Sequence, residues 1–347
     1  MSNVHTPSNA SEAASIINEA RRAGDPLHFI GTRGTQVPDS HDGQVLSSEC
    51  CTGIVDYRPG DLTVMVRAGT TVAELEEVIG DHRHTAVLPE TATDRTIGGV
   101  VASGSSGFRR LRYGPTGDRV LGVTLVTGYG EVVHAGSQLV KNVTGYDLPR
   151  LVTGSHGALG FIAEVALKLW PVAPVQATVE VDDAGSWRSF YKLVAALETE
   201  QGARLYVEGD RASVDSQTAA MEGRVVDGFE WPTPLSTPIA ATLNVPPRLV
   251  PEAVQRVRAC GADRFTAQHG VGAVEIGWAD VDAGTVTGLR TWAESVGGSL
   301  VLTRRGPLDP AVPRWGSIPS TISIQRRLKS LFDPDSVCNP GSLPGGL

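Results

Sequence analysis

The chain has 347 residues, of which 41% are hydrophobic and 20% charged, so it has the composition of a folded globular protein with room for two domains. Its net charge of −8 at pH 7 argues against nucleic acid as a partner, because no basic face is available to displace counterions. No apolar run approaches the length of a membrane span, and the first residues lack the basic and apolar regions of a secretory signal.

Cysteine usage points to a reducing compartment. The four cysteines form neither a C-x-x-C pair nor the ligand series of an iron–sulfur cluster; they are Cys50, Cys51, Cys260 and Cys338. We therefore expect a cytoplasmic protein with reduced thiols, without an iron–sulfur cluster of its own.

The first part of the chain alternates short helices and strands. Apolar spacing predicts a helix over residues 11–22 that stops at Gly24, and then a strand over residues 27–30 that ends in a glycine loop. A second strand covers residues 63–66. The Thr71-x-x-Glu74 pattern predicts a capping box at the start of the next helix.

Glycine clusters are concentrated between residues 96 and 171. A Gly98-Gly99 pair is followed by clusters over residues 103–107 and 154–160, the last leading into an apolar strand over residues 161–169. Glycine allows close backbone approach, and runs of N–H groups form anion sites, so the clusters together indicate a large phosphate-bearing cofactor. Any one of them alone is equally typical of a tight turn. Neither a G-x-G-x-x-G fingerprint nor a phosphate-binding G-K-[ST] loop is present.

The remaining segments predict a second α+β domain. Between the two glycine-rich regions the pattern gives a hairpin over residues 122–133 and a short helix over 147–151. Beyond Pro171 it gives strands over 177–181, 203–208, 273–276 and 299–303, helices over 186–198, 250–260 and 285–296, and a closing helix over 321–331.

Several of these segments resemble one known family. Residues 54–71, the Thr96-Ile97-Gly98-Gly99 segment, residues 112–118 and residues 154–160 resemble the FAD-binding domain of the vanillyl-alcohol-oxidase, or PCMH-type, flavoproteins. The likeness extends over residues 10–171. With residues 141–147 and Asn339-Pro340-Gly341, the chain is most similar to the FAD-binding E subunits of bacterial glycolate oxidases.

The resemblance implies a fold and a domain plan. The fold class is α+β, with a PCMH-type FAD-binding domain of two α+β subdomains and a smaller, ferredoxin-like α+β cap. We expect the FAD-binding domain over residues 1–172, the cap over residues 173–316, and a C-terminal helix and tail over residues 317–347 that return to the first domain.

The resemblance also implies how FAD is held. Backbone N–H groups of the Gly31–Thr35 loop and of the segment from Thr96 to Gly99 would hold the diphosphate, and Gly160–Ile162 would pass the adenine and ribose. Binding is expected to be noncovalent, because Thr35 and Gln36 stand where some relatives have a flavin-linked histidine. The implied contacts are Gly31, Thr32, Arg33, Gly34, Thr35, Pro89, Thr96, Ile97, Gly98, Gly99, Ser103, Gly104, Ser106, Gly160, Phe161 and Ile162.

Oxidation of a small 2-hydroxy acid at a flavin needs a cation for the carboxylate and a base for the hydroxyl proton. The candidate catalytic residues are Arg109, Arg110, Arg305 and His269, although each arginine is equally typical of a surface position. Related dehydrogenases carry an H-x-G-D-G-N-x-H motif, whose nearest counterpart here, residues 268–275, lacks the second histidine. We therefore expect no metal site.

Three functions remain open from the sequence. The first is the FAD-binding subunit of a glycolate oxidase-type complex, which passes electrons from a 2-hydroxy acid to an iron–sulfur subunit and has a larger PCMH-type flavoprotein subunit as a further partner. The second is a flavin-bearing or structural subunit without its own substrate chemistry. The third is a stand-alone PCMH-type oxidoreductase of another alcohol, or a reductase that uses a nicotinamide. Membrane association, if any, would come through the partners.

Overall fold

The computed structural model describes residues 3–31, 43–138 and 146–347, and the chain divides into two compact units. Unit 1 comprises Met1–Gly107, Pro115–Val172 and Ile318–Leu347, and unit 2 comprises Phe108–Gly114 and Ala173–Ser317. Both units combine helices with sheets, so the predicted α+β class is confirmed. We expected residues 108–114 in the first domain. They belong instead to unit 2, because their side chains pack there.

The helices of the described residues follow the sequence signals at most termini. They are α1 Ala10–Ala23, α2 Val72–Gly80, α3 Ile97–Ser103, α4 Arg110–Tyr113, α5 Leu148–Val152, α6 Arg211–Ala219, α7 Val250–Ala259, α8 Ala283–Ser295 and α9 Ile322–Phe332. The predicted capping box of α2 is confirmed: Thr71 accepts from the Glu74 backbone N–H, and the Glu74 side chain accepts from the Thr71 N–H. None of these helices is long and apolar enough to cross a membrane.

The sheets of the two units are separate. In chain order, their strands are β1 Val4–His5, β2 Leu27–Ile30, β3 Gln44–Ser47, β4 Ile54–Arg58, β5 Thr63–Arg67, β6 His84–Thr85, β7 Val120–Val126, β8 Val132–Gly136, β9 Phe161–Lys168, β10 Trp170–Pro171, β11 Val175–Val181, β12 Ala195–Thr199, β13 Gly202–Gly209, β14 Arg224–Asp227, β15 Ile239–Asn244, β16 Arg264–Gln268, β17 Ala273–Trp278 and β18 Ser299–Arg304.

Unit 1 is built around a five-stranded antiparallel sheet of order β4-β5-β9-β7-β8. Helices α2 and α3 bury apolar side chains against it, including Leu75, Ile97 and Val100, which are fully buried. A small parallel sheet of order β1-β3-β2 packs with α1 in a second core. The segment around Gly98-Gly99, expected as a loop, is therefore a helix whose apolar residues are held in the main core.

Unit 2 is an eight-stranded antiparallel sheet of order β14-β11-β13-β12-β16-β17-β15-β18. Helices α7 and α8 cover part of it through a core that includes Val254, Val257, Val286 and the fully buried Trp278. Helix α6 packs against β11 and β13.

The predicted helix over residues 186–198 is wrong. The chain makes a 3₁₀ turn over Ala184–Ser189 and then enters β12, which pairs antiparallel with β13 and β16. Residues 193–197 are each 4% exposed or less. A continuous apolar run suits a strand buried on both faces as well as a helix, and pairing with two neighbouring strands decides between them.

The C-terminal segment is fixed to unit 1 by a buried ion pair. Lys329 Nζ lies 2.6 Å from Asp333 Oδ2 and also donates to the carbonyl oxygens of Ala158 and Cys338, at 2.8 and 2.6 Å. The Asp333 carboxylate accepts from the backbone N–H groups of Val337 and Cys338. Both charges are thus paired and further hydrogen-bonded, which burial requires. A parallel bridge between Leu27 and Cys338 then places the tail beside β2.

We expect Lys329→Ala to lower the free energy of unfolding by about 3–5 kcal/mol, because it leaves the Asp333 carboxylate buried without its cation. Urea denaturation of the full-length chain measures the change. Arg326→Ala, at an exposed position on the same helix, is the matched control and should shift stability by less than about 0.5 kcal/mol. Equal effects of the two substitutions would contradict the assigned role.

Candidate functional site

A cavity in unit 1, partly open to solvent, brings together residues that are distant in sequence. The end of β2, one side of α3 and the turn leading into β9 form its walls, and the C-terminal tail contributes Asn339. Its lining is largely apolar or bare backbone: Phe29, Ile30, Gly31, Ser48, Ala68, Gly98, Gly99, Ala102, Ser103, His156, Gly157, Gly160, Phe161, Ile162 and Asn339. Such a lining with few polar groups is typical of a cofactor site.

Several glycines of the lining lie where a neighbouring segment packs too closely for a side chain. A Cβ added at Gly98 would lie 2.7 Å from the Ala68 Cβ, and one at Gly31 would overlap the Thr96 side chain. Gly160, with φ of +145°, faces the Val126 carbonyl. At Gly99 the nearest atom is Thr96 Oγ1 at 3.0 Å, with nothing else within 4 Å. Gly99 therefore keeps space in the cavity itself.

The first amides of α3 are used within the protein. The N–H groups of Ile97 and Gly98 donate to the carbonyl oxygens of Thr70 and Ala68, both at 2.8 Å. The Gly99 N–H donates to Thr96 Oγ1 at 3.1 Å, which makes Thr96 the N-cap. These amides were expected to hold a diphosphate, but in this structure capping and the strand-end carbonyls already satisfy them.

The cavity contains part of the sequence-derived set of cofactor contacts. The members that line it are Gly31, Gly98, Gly99, Ser103, Gly160, Phe161 and Ile162. Four others have local roles or are buried away from it: Thr96 caps α3, Ile97 is in the main core, Gly104 is the left-handed C-cap of α3, and Ser106 accepts from the Thr116 N–H. Pro89 is buried and does not line the cavity. Thr32, Arg33, Gly34 and Thr35 lie outside the described residues.

Asn339 is the most informative lining residue that sequence reasoning missed. Its Oδ1 accepts from the Phe29 N–H at 2.5 Å, and its Nδ2 donates to the His156 carbonyl at 2.6 Å. The side chain thus bridges two walls of the cavity. The Asn339-Pro340-Gly341 segment had been noted only for its family resemblance, because no local pattern indicates partners that far away in sequence.

Arg109 and Arg110 lie at the start of α4, in a segment held within unit 2 by polar contacts. Tyr113 Oη donates to the carboxylate of Glu208, a residue only 5% exposed. Burial, with the added effect of this carboxylate, raises the pKa of Tyr113 to about 12. Arg112 donates to the Glu208 carbonyl at 3.1 Å. The two arginines are therefore carried on an anchored turn.

His269 is 3% exposed and follows β16 in unit 2. Its Nε2 lies 3.0 Å from Glu198 Oε2, and Arg258 donates to the other oxygen of the same carboxylate at 3.2 Å. The hydrogen bond with His269 is the largest influence lowering the pKa of Glu198; burial opposes it and Arg258 adds to it. In the tautomer that donates Nε2–H to Glu198, Nδ1 is the acceptor nitrogen of the imidazole ring.

The structure separates Arg305 from His269. Strands β16 and β18 are separated by β17 and β15 and run antiparallel, so the two residues follow strands that end at opposite ends of the sheet. The three inter-strand spacings between β16 and β18 add up to about 14 Å. Arg305 Nη1 donates to the carbonyl oxygens of Asp309, Pro310 and Val312. It holds the turn after β18 and does not share a site with His269.

Metal ligands were not expected. Within residues 3–31, 43–138 and 146–347, no group of three or more histidine, cysteine or acidic side chains is arranged to hold a metal ion.

Comparison with known proteins gives one family match. Residues 1–136 match the model of a family described as FAD binding domain. Among solved structures, alkyldihydroxyacetonephosphate synthase superposes with a TM-score of 0.67 over 98% of this chain and 77% of that one, at 15% sequence identity. At that identity the likeness establishes the fold alone.

Curated relatives include the glycolate oxidase subunit GlcE of Escherichia coli strain K12, which is 38% identical over 200 residues, or 54% of this chain and 57% of that one. D-lactate dehydrogenase of Archaeoglobus fulgidus is 30% identical over 48% of this chain and 38% of that one. D-2-hydroxyglutarate dehydrogenase of Stutzerimonas stutzeri is 32% identical over 36% and 27%. The chain thus aligns with 57% or less of the length of these relatives.

We expect Gly99→Val to reduce bound FAD at least about tenfold, because the side chain would fill the cavity where a Cβ meets only Thr96. Gly99 does not adopt a positive φ, so the effect should come from lost space and not from backbone strain. Flavin absorbance per purified chain measures it, with far-ultraviolet circular dichroism reporting the fold. Gly288→Val, in helix α8 where a Cβ meets nothing within 4 Å, is the matched control. Unchanged FAD content in the Gly99 variant would show that this wall does not face the cofactor.

The depressed pKa of Glu198 predicts a pH effect with a definite sign. Its stabilising contribution is present above the ordinary value of 4.5 and is lost as the pH falls through the lower folded-state value. Glu198→Gln should therefore lower stability near pH 7 and flatten the loss of unfolding free energy between about pH 5 and about pH 3. Denaturation curves across that range test it. Glu222→Gln, at an exposed position in the same unit, should leave the wild-type slope unchanged.

Proposed function

We propose, from the premise that residues 1–136 belong to the FAD binding domain family, that this chain is the FAD-binding subunit of a 2-hydroxy-acid oxidase of the glycolate oxidase type. The resemblance to PCMH-type flavoproteins is thereby confirmed. The observation that carries the proposal is the glycine-walled cavity of unit 1, together with relatives named as glycolate oxidase subunits and 2-hydroxy-acid dehydrogenases.

The cavity fits FAD in two respects. Phe29, Ile30, Phe161 and Ile162 give it apolar surface suited to a planar ring system. Gly99 brings bare backbone against the space, which a side chain at this position would partly fill. The segment that follows Gly31 would supply further contacts. Since Thr35 and Gln36 stand where a covalent link would need histidine, we propose noncovalent binding.

Bound FAD would supply a two-electron acceptor for the carbinol hydrogen of a 2-hydroxy acid. The chain's own residues would orient the substrate and take the hydroxyl proton. Arg109 and Arg110 are the proposed carboxylate cations, since α4 presents them on a turn fixed by Glu208. His269 is the proposed base, because Glu198 holds its Nε2 and leaves Nδ1 to accept a proton.

We propose that a larger PCMH-type flavoprotein subunit and an iron–sulfur subunit complete the enzyme. The relatives named as glycolate oxidase subunits support a multi-subunit arrangement. An iron–sulfur partner is proposed because the chain's four cysteines have no cluster spacing and are all free thiols. The same free thiols support a cytoplasmic location.

The test is purification of the native protein with its partners, followed by flavin and iron analysis. We expect a yellow chain whose FAD stays in solution when the polypeptide is precipitated with acid. Addition of glycolate or D-lactate should bleach the flavin absorbance in the complex, and only weakly in the isolated chain.

Each alternative has its own outcome. Flavin that remains with the precipitated polypeptide would contradict noncovalent binding, and absence of flavin after reconstitution would overturn the FAD assignment. Bleaching by the isolated chain at the rate of the complex would favour a stand-alone oxidoreductase. Flavin that no 2-hydroxy acid reduces, in either preparation, would favour a subunit without substrate chemistry.

A further inference from the structure

Arg95 provides a cation at the edge of the cavity that no sequence pattern had singled out. It immediately precedes Thr96, the N-cap of α3. Its Nη2 donates to Ser103 Oγ at 2.9 Å and approaches the Gly99 carbonyl at 3.4 Å. Gly99 and Ser103 both line the cavity. The guanidinium is thus folded back along the face of α3 that borders the cavity.

The partners of Arg95 are neutral. Among residues 3–31, 43–138 and 146–347, no carboxylate oxygen forms an ion pair with it, and its hydrogen bonds go to a hydroxyl and a carbonyl through a single nitrogen. Guanidinium has five N–H donors. The Nε and Nη1 donors therefore have capacity for an additional acceptor.

The Arg95 side chain is half-buried, so its charge is partly desolvated. Desolvation lowers the pKa of Arg95, and the charge of Asp94 offsets this only in part. Among the residues that the structure describes, the cavity lining contains no carboxylate, so these residues place no negative charge there that would repel an anion. The Ser103 hydroxyl donates to the Gly99 carbonyl at 2.7 Å while it accepts from Arg95, which holds the guanidinium in place.

We propose that Arg95, positioned by Ser103, binds an oxyanion at the edge of the cavity of unit 1. An arginine suits this role, since its planar donor fork matches phosphate and carboxylate groups. Two sources have this chemistry: the diphosphate of FAD and the carboxylate of a 2-hydroxy acid. The side chain would supply the charge recognition that the first amides of α3, already bonded within the protein, do not offer. The inference rests on the proposed function, because it assumes that the cavity holds the flavin.

Full-length chain stripped of flavin is titrated with FAD, FMN and riboflavin, and binding is followed by the change in flavin fluorescence. Loss of one charge-assisted hydrogen-bond partner predicts that Arg95→Gln weakens FAD binding about 10- to 100-fold. Riboflavin, which has no phosphate, should bind equally to wild type and variant. Arg95→Lys should recover part of the loss, because it keeps the charge without the planar fork.

A second titration distinguishes the source of the anion. FAD-loaded protein is titrated with oxalate, a carboxylate that cannot undergo the carbinol oxidation, and the flavin spectrum is followed. If Arg95→Gln leaves the FAD affinity unchanged but weakens oxalate binding about 10- to 100-fold, the substrate carboxylate is the ligand. If FAD affinity falls, the ligand is the cofactor phosphate. Either result supports the oxyanion site.

Controls separate this inference from the proposed function. Arg67→Gln removes an exposed arginine of the same unit and should change neither titration. Thermal unfolding confirms that each variant is folded. If Arg95→Gln fails to fold, Arg95→Lys and Ser103→Ala are used in its place. Each of these two substitutions is expected to weaken oxyanion binding about two- to tenfold. Changes of less than twofold in both titrations would overturn the role of Arg95 and leave FAD binding intact. Wild-type chain that binds no flavin would overturn the proposed function itself.

Discussion

The cavity of unit 1 depends on hydrogen bonds from the end of the chain to residues far from it in sequence. Asn339 accepts from the Phe29 N–H, 310 residues earlier, and donates to the His156 carbonyl, 183 residues earlier. Behind it, the buried Lys329–Asp333 pair fixes the tail to the turn before β9. Each of these hydrogen bonds contributes about 0.5–1.5 kcal/mol, the usual net value of an intramolecular hydrogen bond. The cavity and the C-terminal anchor therefore depend on the same set of contacts.

Close packing of backbone explains both what the cavity offers and what it lacks. Glycines let α3 approach the strand-end residues Ala68 and Thr70, whose carbonyl oxygens take up the first amides of the helix. That packing defines the shape of the site but uses the donors that a helix start would otherwise present to an anion. Charge recognition in this part of the cavity then falls to a side chain, and Arg95 is the cation placed beside it.

Unit 2 organises its polar residues through a single antiparallel sheet. Glu198 on β12 pairs with His269, which follows the adjacent β16, and Glu208 on β13 anchors the turn that carries Arg109 and Arg110. The Glu198 carboxylate interacts with both His269 and Arg258, and the Glu208 carboxylate accepts from Tyr113 with Arg112 3.9 Å away. These contacts fix the orientation of the side chains. Arg305 follows the edge strand β18 and holds the turn after it.

The residues alone were enough to identify the α+β class, the FAD-binding domain and several of its glycines, because glycine clusters, capping boxes and apolar periodicity are local signals. The capping box of α2 and the strand over Phe161–Lys168 follow from a few adjacent residues. Tertiary structure decided the rest. Residues 195–199 form a strand because they pair with β13 and β16. The amides of Ile97 and Gly98 donate to carbonyl oxygens 27 and 30 positions away. Asn339 reaches the cavity through contacts with residues 310 and 183 positions away, which no local pattern contains. Hydrogen-bond partners and charge compensation depend on which segments meet, and only the folded chain settles that.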